Sequence, residues 1–222
     1  MARLARVVVP GVPHHVTQRG NRRQRTFFCN EDYQTYIDLM VEWCSIWEVD
    51  IWAYCLMPNH VHLIAVPSSR EGLRRAIGEA HRRYTRYINF RENWRGYLWQ
   101  GRFGSFPMDK KHLLAAARYI ELNPVRARMI NAPGAYRWSS ASAHLKGEND
   151  ALVGVTPLLE MVGDWAKFLS KSLTDDEVMK IRLHSRTGRP LGNEGFVEEL
   201  EWKLGRTLQR QKPGPKQSNR IV

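Results

Sequence analysis

The chain is short of cysteine, short of acid and free of long apolar runs, and each shortage closes off a class of protein. Its three cysteines, Cys29, Cys44 and Cys55, are an odd number. None stands in Cys-x-x-Cys spacing, which argues against a disulfide framework and against a zinc knuckle. Cys44 and Cys55 lie in apolar runs and read as core. No stretch has the continuity of a membrane span or a secretory leader, so the expected location is cytoplasmic, with no membrane partner. Asp and Glu total 22 against 34 Lys and Arg, for a net charge of +12 in 222 residues. That surplus points to an anionic polymer as partner, with nucleic acid first. A hydrophobic content of 43% and an aromatic content of 10% argue for a folded protein. No internal repeat is visible.

What is present is organised around Met57-Pro58-Asn59-His60-Val61-His62-Leu63-Ile64. Residues i and i+2 of a strand share a face, so His60 and His62 project side by side, about 6–7 Å apart. Two imidazoles at that spacing can share a metal ion. Two ligands are not a complete site, and the pair alone reads equally well as structural. Ile51 to Leu56 and His60 to Val66 are nearly continuous apolar runs around the Met57-Pro58-Asn59 turn. They predict an antiparallel hairpin of central strands covered by helices.

Val12 to Gln18 reads as a first strand, and Gly20-Asn21 as a turn. Arg19, Arg22, Arg23 and Arg25 crowd the loop there, which is either solvated or phosphate-contacting. Asn30-Glu31-Asp32 opens a helix, with Tyr33, Tyr36, Ile37, Met40, Val41, Cys44 and Trp47 as its apolar stripe. A second helix runs from Arg70 to about Asn93. It carries Arg74, Arg75, Arg82, Arg83 and Arg86, and only Glu71, Glu79 and Glu92 to balance them. This face is read as directed to nucleic acid. Tyr97 to Pro107 reads as a strand broken by glycines; its aromatics, Trp99 and Phe103 among them, are open between core and base stacking. Lys110 to Leu122 is an alanine-rich helix ended by Asn123-Pro124. Tyr119 and Asn123 share a face on it. Beyond Gly147 come short helical segments around residues 157–161 and 165–169. Thr174 to Glu177 has capping-box spacing, and Asn193 caps a helix to about Leu204. The tail from Arg206 to Val222 has five basic residues and no acid, and reads as mobile and phosphate-binding.

Met57-Pro58-Asn59-His60-Val61-His62 together with Arg118-Tyr119-Ile120-Glu121-Leu122-Asn123-Pro124-Val125 resembles the single-tyrosine HUH transposases. Within them the likeness is to the IS200-like, REP-associated tyrosine transposases. His14 to Asn21, Leu98 to Phe103 and Tyr136 to Ser140 also resemble that family, so the likeness spans about residues 6–145. It implies an α+β, ferredoxin-like fold, with a central antiparallel sheet and flanking helices, plus a small helical C-terminal extension. The implied division is a catalytic domain over 1–147, the extension over 148–205 and the basic tail over 206–222.

The resemblance further implies binding, cleavage and rejoining of single-stranded or hairpin DNA, repetitive extragenic palindromes in particular, by a monomer or homodimer. Tyr119 would attack phosphorus, giving a 5′-phosphotyrosine. His60 and His62, with Asn123 as third donor, would hold Mg²⁺ or Mn²⁺. Arg19, Arg22, Arg23, Arg74, Arg75, Arg82, Arg83, Arg86 and Arg102 would contact the DNA backbone, with Trp99 and Phe103 available for stacking. Two rivals stand beside this reading. One is a DNA-binding regulator of the same fold that does not cut. The other is an unrelated His-x-His metalloenzyme.

Overall fold

The computed structural model describes residues 5–209. Its sheet has four strands, β1 (His14–Arg19), β2 (Val49–Met57), β3 (His60–Pro67) and β4 (Gly104–Pro107), all paired antiparallel in the order β2-β3-β1-β4. Helix α1 (Asn30–Ile46) joins β1 to β2, and α2 (Gly72–Arg91) joins β3 to β4. That succession and strand order make the ferredoxin-like arrangement, so the α+β fold expected from the sequence is the fold present. Then follow α3 (Lys110–Glu121), α4 (Asn123–Arg126), α5 (Ala141–Lys146), α6 (Thr156–Val162), α7 (Trp165–Ser170), α8 (Asp175–Thr187) and α9 (Glu194–Leu204).

The β2–β3 hairpin turns on Pro58-Asn59, with Met57 opposite His60. Its turn is tied to the segment after β1: Gly20 N donates to Asn59 O, and Thr26 N to Pro58 O, both at 2.8 Å. Gly20 is required where this loop folds back on itself, because a Cβ there would lie 2.3 Å from the Gln24 carbonyl oxygen. Helices α1 and α2 lie against β2 and β3, and α3 lies against the same two strands. Two helical layers on one strand pair need both faces of the sheet. This is why the hairpin is apolar throughout rather than alternating. The α3 layer takes the face of His60 and His62, leaving α1 and α2 the face of Val61 and Leu63.

Helix α1 buries Tyr33, Tyr36, Ile37, Met40 and Cys44 along the stripe read from the sequence. Its cap differs from the expectation: Asn30 is already helical, and the Asp32 carboxylate accepts from Phe28 N and Cys29 N. The stretch from Tyr97 to Phe103 is not strand; only Gly104–Pro107 pairs with β1, and Trp99 makes a lone bridge to Gly20. The glycines that interrupt its pattern also interrupt its pairing.

The chain after Gly147 packs into the main core. Val153, Val155, Leu158, Trp165, Phe168, Ile181 and Leu191 share one apolar cluster with the sheet. This segment holds α3 at both ends. At the start, Asp109 caps the helix and also accepts from Asn193 N at 3.0 Å. At the end, Trp165 reaches Glu121. Arg206, assigned to a free basic tail, instead donates to the carbonyls of Ala5 and Arg6. Leu208 is buried and, with Gln209, donates its backbone N–H to Glu201; residues 210–222 of that tail lie outside the described residues.

Candidate active site

The hairpin and α3 bring together four residues separated in sequence. His60 Nε2 lies 3.5 Å from the Asn123 side-chain amide. The rings of His60 and His62 are 5.0 Å apart, and that of Tyr119 lies 5.6 Å from His62. Asn123 comes one turn after Tyr119, as the helix period requires. Leu122 keeps near-helical angles between α3 and α4, so the face continues to Arg126, whose guanidinium sits 4.4 Å over the Tyr119 ring.

Each histidine is oriented by a neighbour. His60 Nδ1 is 2.6 Å from Asn59 Oδ1, an oxygen that can only accept. The ring proton is therefore on Nδ1, and Nε2 carries the lone pair that faces Asn123. His62 Nδ1 lies 3.0 Å from Nε2 of His15, a buried residue of β1 stacked on it. Burial, with the charge of Arg19 second, pushes His60 down to about 4. Burial is also the first cause holding His62 well below its ordinary value, followed by His15, His60, Arg19 and Arg126. Both are neutral at pH 7, the state in which imidazole binds a metal. Two imidazole nitrogens and an amide thus fit a divalent ion with open positions. Among the described residues no cluster of three or more His, Cys, Asp or Glu is placed to hold a metal, so any anionic oxygen must come from elsewhere.

Arg19 lies opposite His60 in the β1–β3 register, exposed at the rim. Exposed Arg22 and Arg23 occupy the adjoining loop, which Asn59 secures through its Nδ2 to Arg23 O, 3.1 Å. The other basic residues read from the sequence are elsewhere. Arg74, Arg75, Arg82, Arg83 and Arg86 are exposed on α2, in the layer on the far side of the sheet from the histidines. Three of them are partly neutralised, Arg74 by Glu71 and Arg82 and Arg83 by Glu79. Arg75 and Arg83 also cover Trp47 and Trp43. Arg102 is exposed beside a cleft shared with Arg6, Arg70, Arg74 and Arg206.

Trp99 and Phe103 are only 5% and 4% exposed, which corrects their assignment as stacking platforms. Trp99 is wedged among Tyr36, His81 and Tyr84, and the face of Phe103 is covered by Arg6. Sequence reasoning missed the roles of His15, Asn59 and Arg126. Arg126 was accessible, because Tyr119, Asn123 and Arg126 stand at i, i+4 and i+7. His15 carried no local signal; only strand pairing across β1 and β3 brings it to His62.

The fold and this cluster define a class: a ferredoxin-like domain presenting a histidine pair, an amide and a tyrosine on one sheet face, with an arginine over the phenol ring. The family described as "Transposase IS200 like" matches residues 9–123, just over half of the chain, and the chain belongs to that family. Membership carries DNA transposition as the general activity, with DNA cleavage and strand transfer as its chemistry. Among solved structures, one of a REP-associated tyrosine transposase bound to a REP hairpin is similar, with a TM-score of 0.54 and 18% identity over 69% of this chain and 92% of the other. A putative transposase from Deinococcus radiodurans aligns at a TM-score of 0.38 and 16% identity, over 58% of this chain and 92% of the other. A comparison with curated proteins found no match. Among the described residues no helix is long and apolar enough to cross a membrane.

Proposed function

We propose that the chain cleaves and rejoins single-stranded DNA beside a hairpin, with Tyr119 as the nucleophile. The observation that carries this reading is the convergence of Tyr119 and Asn123 on the His60–His62 pair within one chain. The similarity to a transposase bound to a REP hairpin supports a palindromic hairpin of that kind as the substrate class.

The Tyr119 oxygen loses its proton and attacks phosphorus. The bond from phosphorus to the 3′ oxygen breaks, and that oxygen takes up a proton and leaves as a 3′-hydroxyl. The 5′ phosphate stays on Tyr119 as a phosphodiester, so its bond energy is retained. Rejoining runs the steps backward with the 3′-hydroxyl of another strand. Arg126 lies over the phenol ring, and Arg19 at the rim holds the neighbouring phosphate. His60, His62 and Asn123 are the residues that would hold Mg²⁺ or Mn²⁺, which polarises the phosphate and offsets its developing charge when bound. His15 and Asn59 keep the two rings aimed.

The test is a hairpin oligonucleotide with a single-stranded flank, incubated with protein and Mn²⁺ or Mg²⁺ and resolved on a denaturing gel. A covalent protein–DNA species is expected from the wild type and none from Tyr119→Phe. An undiminished adduct in Tyr119→Phe would overturn the nucleophile assignment. Stable binding with no adduct under any metal would leave a DNA-binding protein that does not cut.

A further inference from the structure

Behind the arginine loop of the catalytic rim lies an open groove of about 250 Å³. Trp94 and Tyr97 form its aromatic side, and Asn21, Arg22, Gln24 and Arg95 its polar side. Tyr97 is 85% exposed and Trp94 is 42% exposed. Trp94 is held edge-on against Phe28 at 5.7 Å. No acid lines this groove. Among the described residues, Arg22, Arg95 and Tyr97 make no hydrogen bond or ion pair.

The surrounding backbone is under strain. Arg22, Arg23 and Asn93 have φ of 51°, 62° and 52°, in the left-handed region that residues with a Cβ rarely occupy. Such strain persists where the neighbouring structure holds it in place, and it concentrates at ligand clamps. Here the hold is visible: Asn21 N donates to Leu98 O at 2.8 Å, and Asn59 Nδ2 donates to Arg23 O. Asn59 is also the partner of His60. The groove wall and the metal-capable histidine are therefore fixed by one side chain.

We infer that this groove takes an unpaired nucleotide of the DNA strand next to the scissile phosphate, its base on Tyr97 and Trp94 and its phosphate on Arg22 or Arg95. The inference rests on the single-stranded DNA reading above and gives it a place. Exposed aromatics beside arginines, with no acid, are complementary to a strand whose bases are unpaired. A duplex hides its base faces and would leave the aromatics wet. The side-chain amides of Asn21 and Gln24 line the groove, Gln24 with its Nε2 donating to Leu98 O at 3.5 Å, and the Asn21 amide is suited to a base edge.

The test is fluorescence anisotropy of a labelled, unstructured oligodeoxythymidylate with the full chain in EDTA, where no cleavage occurs. Tyr97→Ala is expected to weaken binding about five- to a hundredfold, the loss of one stacked base, and Tyr97→Phe to stay within about twofold of wild type. An abasic oligonucleotide should bind wild type and Tyr97→Ala alike. Trp94→Ala guards against a local folding artefact at Tyr97, and circular dichroism checks both variants. Unchanged binding in Tyr97→Ala and Trp94→Ala would overturn the inference. An equal loss for the abasic strand would also overturn it. So would sedimentation showing that Tyr97→Ala breaks a dimer, because the aromatics would then seat a second copy of the chain. The adduct assay on Tyr119 is independent: loss of stacking without any adduct keeps the groove and removes the nuclease, and an adduct with unaltered stacking does the reverse.

Discussion

The indole of Trp165 donates to the buried carboxylate of Glu121 at 2.8 Å, two residues beyond Tyr119. Ser140 and His144 donate to the other oxygen at 2.5 and 2.7 Å, so α5 and α7 both anchor the end of the tyrosine helix. Trp165→Phe keeps much of the apolar contact and removes the N–H. It should cost about 1–3 kcal/mol, the penalty for a buried acceptor losing its donor. In urea this appears as a lower midpoint at unchanged slope. A midpoint equal to wild type would show that the bond contributes nothing.

His15 should matter through His62 rather than through substrate. If His62 donates from Nδ1 to His15 Nε2, its own Nε2 is left with a lone pair for an ion. His15→Phe fills the space and deletes the acceptor. Mn²⁺ affinity, measured calorimetrically with DNA bound to a Tyr119→Phe background, is expected to fall about 10- to 100-fold. His15→Gln, which can still accept, should recover part of it. Equal affinity in wild type and His15→Phe would remove His15 from the site.

Metal and DNA should bind cooperatively. The donor set is neutral, and Arg19 and Arg126 act on His62 electrostatically, so a cation meets little attraction in the free protein. Phosphate oxygens supply the missing charge. Titration of the Tyr119→Phe variant should show Mn²⁺ binding about 5- to 150-fold tighter with DNA than without, and DNA tightened by the same factor with Mn²⁺. Tight Mn²⁺ binding to the DNA-free protein would mean that another anionic ligand completes the site.

Stability should fall in mild acid because buried histidines must take up a proton, those of the site and two away from the chemistry. His14 accepts from Val9 N on Nε2 and donates from Nδ1 to Val12 O. Burial holds it at about 4 against an ordinary 6.5. His81 pairs with the Tyr36 hydroxyl and is held by burial at about 3. The unfolded chain binds more protons than the folded one below pH 6.5, so stability rises with pH across this window. It is complete above about 6.5 and declines toward pH 4 by about 1.4 kcal/mol per pH unit for each histidine. Urea midpoints at pH 7, 6 and 5 check this, and a flat profile would refute it.

The sequence made the hairpin and the α3 face readable because both depend on local periodicity. His60 and His62 share a face by the alternation of a strand, and Tyr119 and Asn123 by the helical turn. Trp99 and Phe103 were ambiguous because an aromatic beside glycine looks the same whether it closes a core or meets solvent. The α2 arginines were legible as a face, but its direction depended on which side of the sheet α3 would occupy. His15 against His62, and Trp165 against Glu121, are long-range pairs with no periodic trace.

The gripping of α3 at Asp109 and at Glu121 has a kinetic meaning. A helix tied at both ends to its own chain keeps Tyr119 beside its own His62, so on the function proposed above every reacting protein group would be delivered by one molecule. Adduct formation on saturating DNA should then be first order in protein across dilution, with a rate per chain independent of concentration. A chain that lent its tyrosine helix to a neighbour would slow as it was diluted.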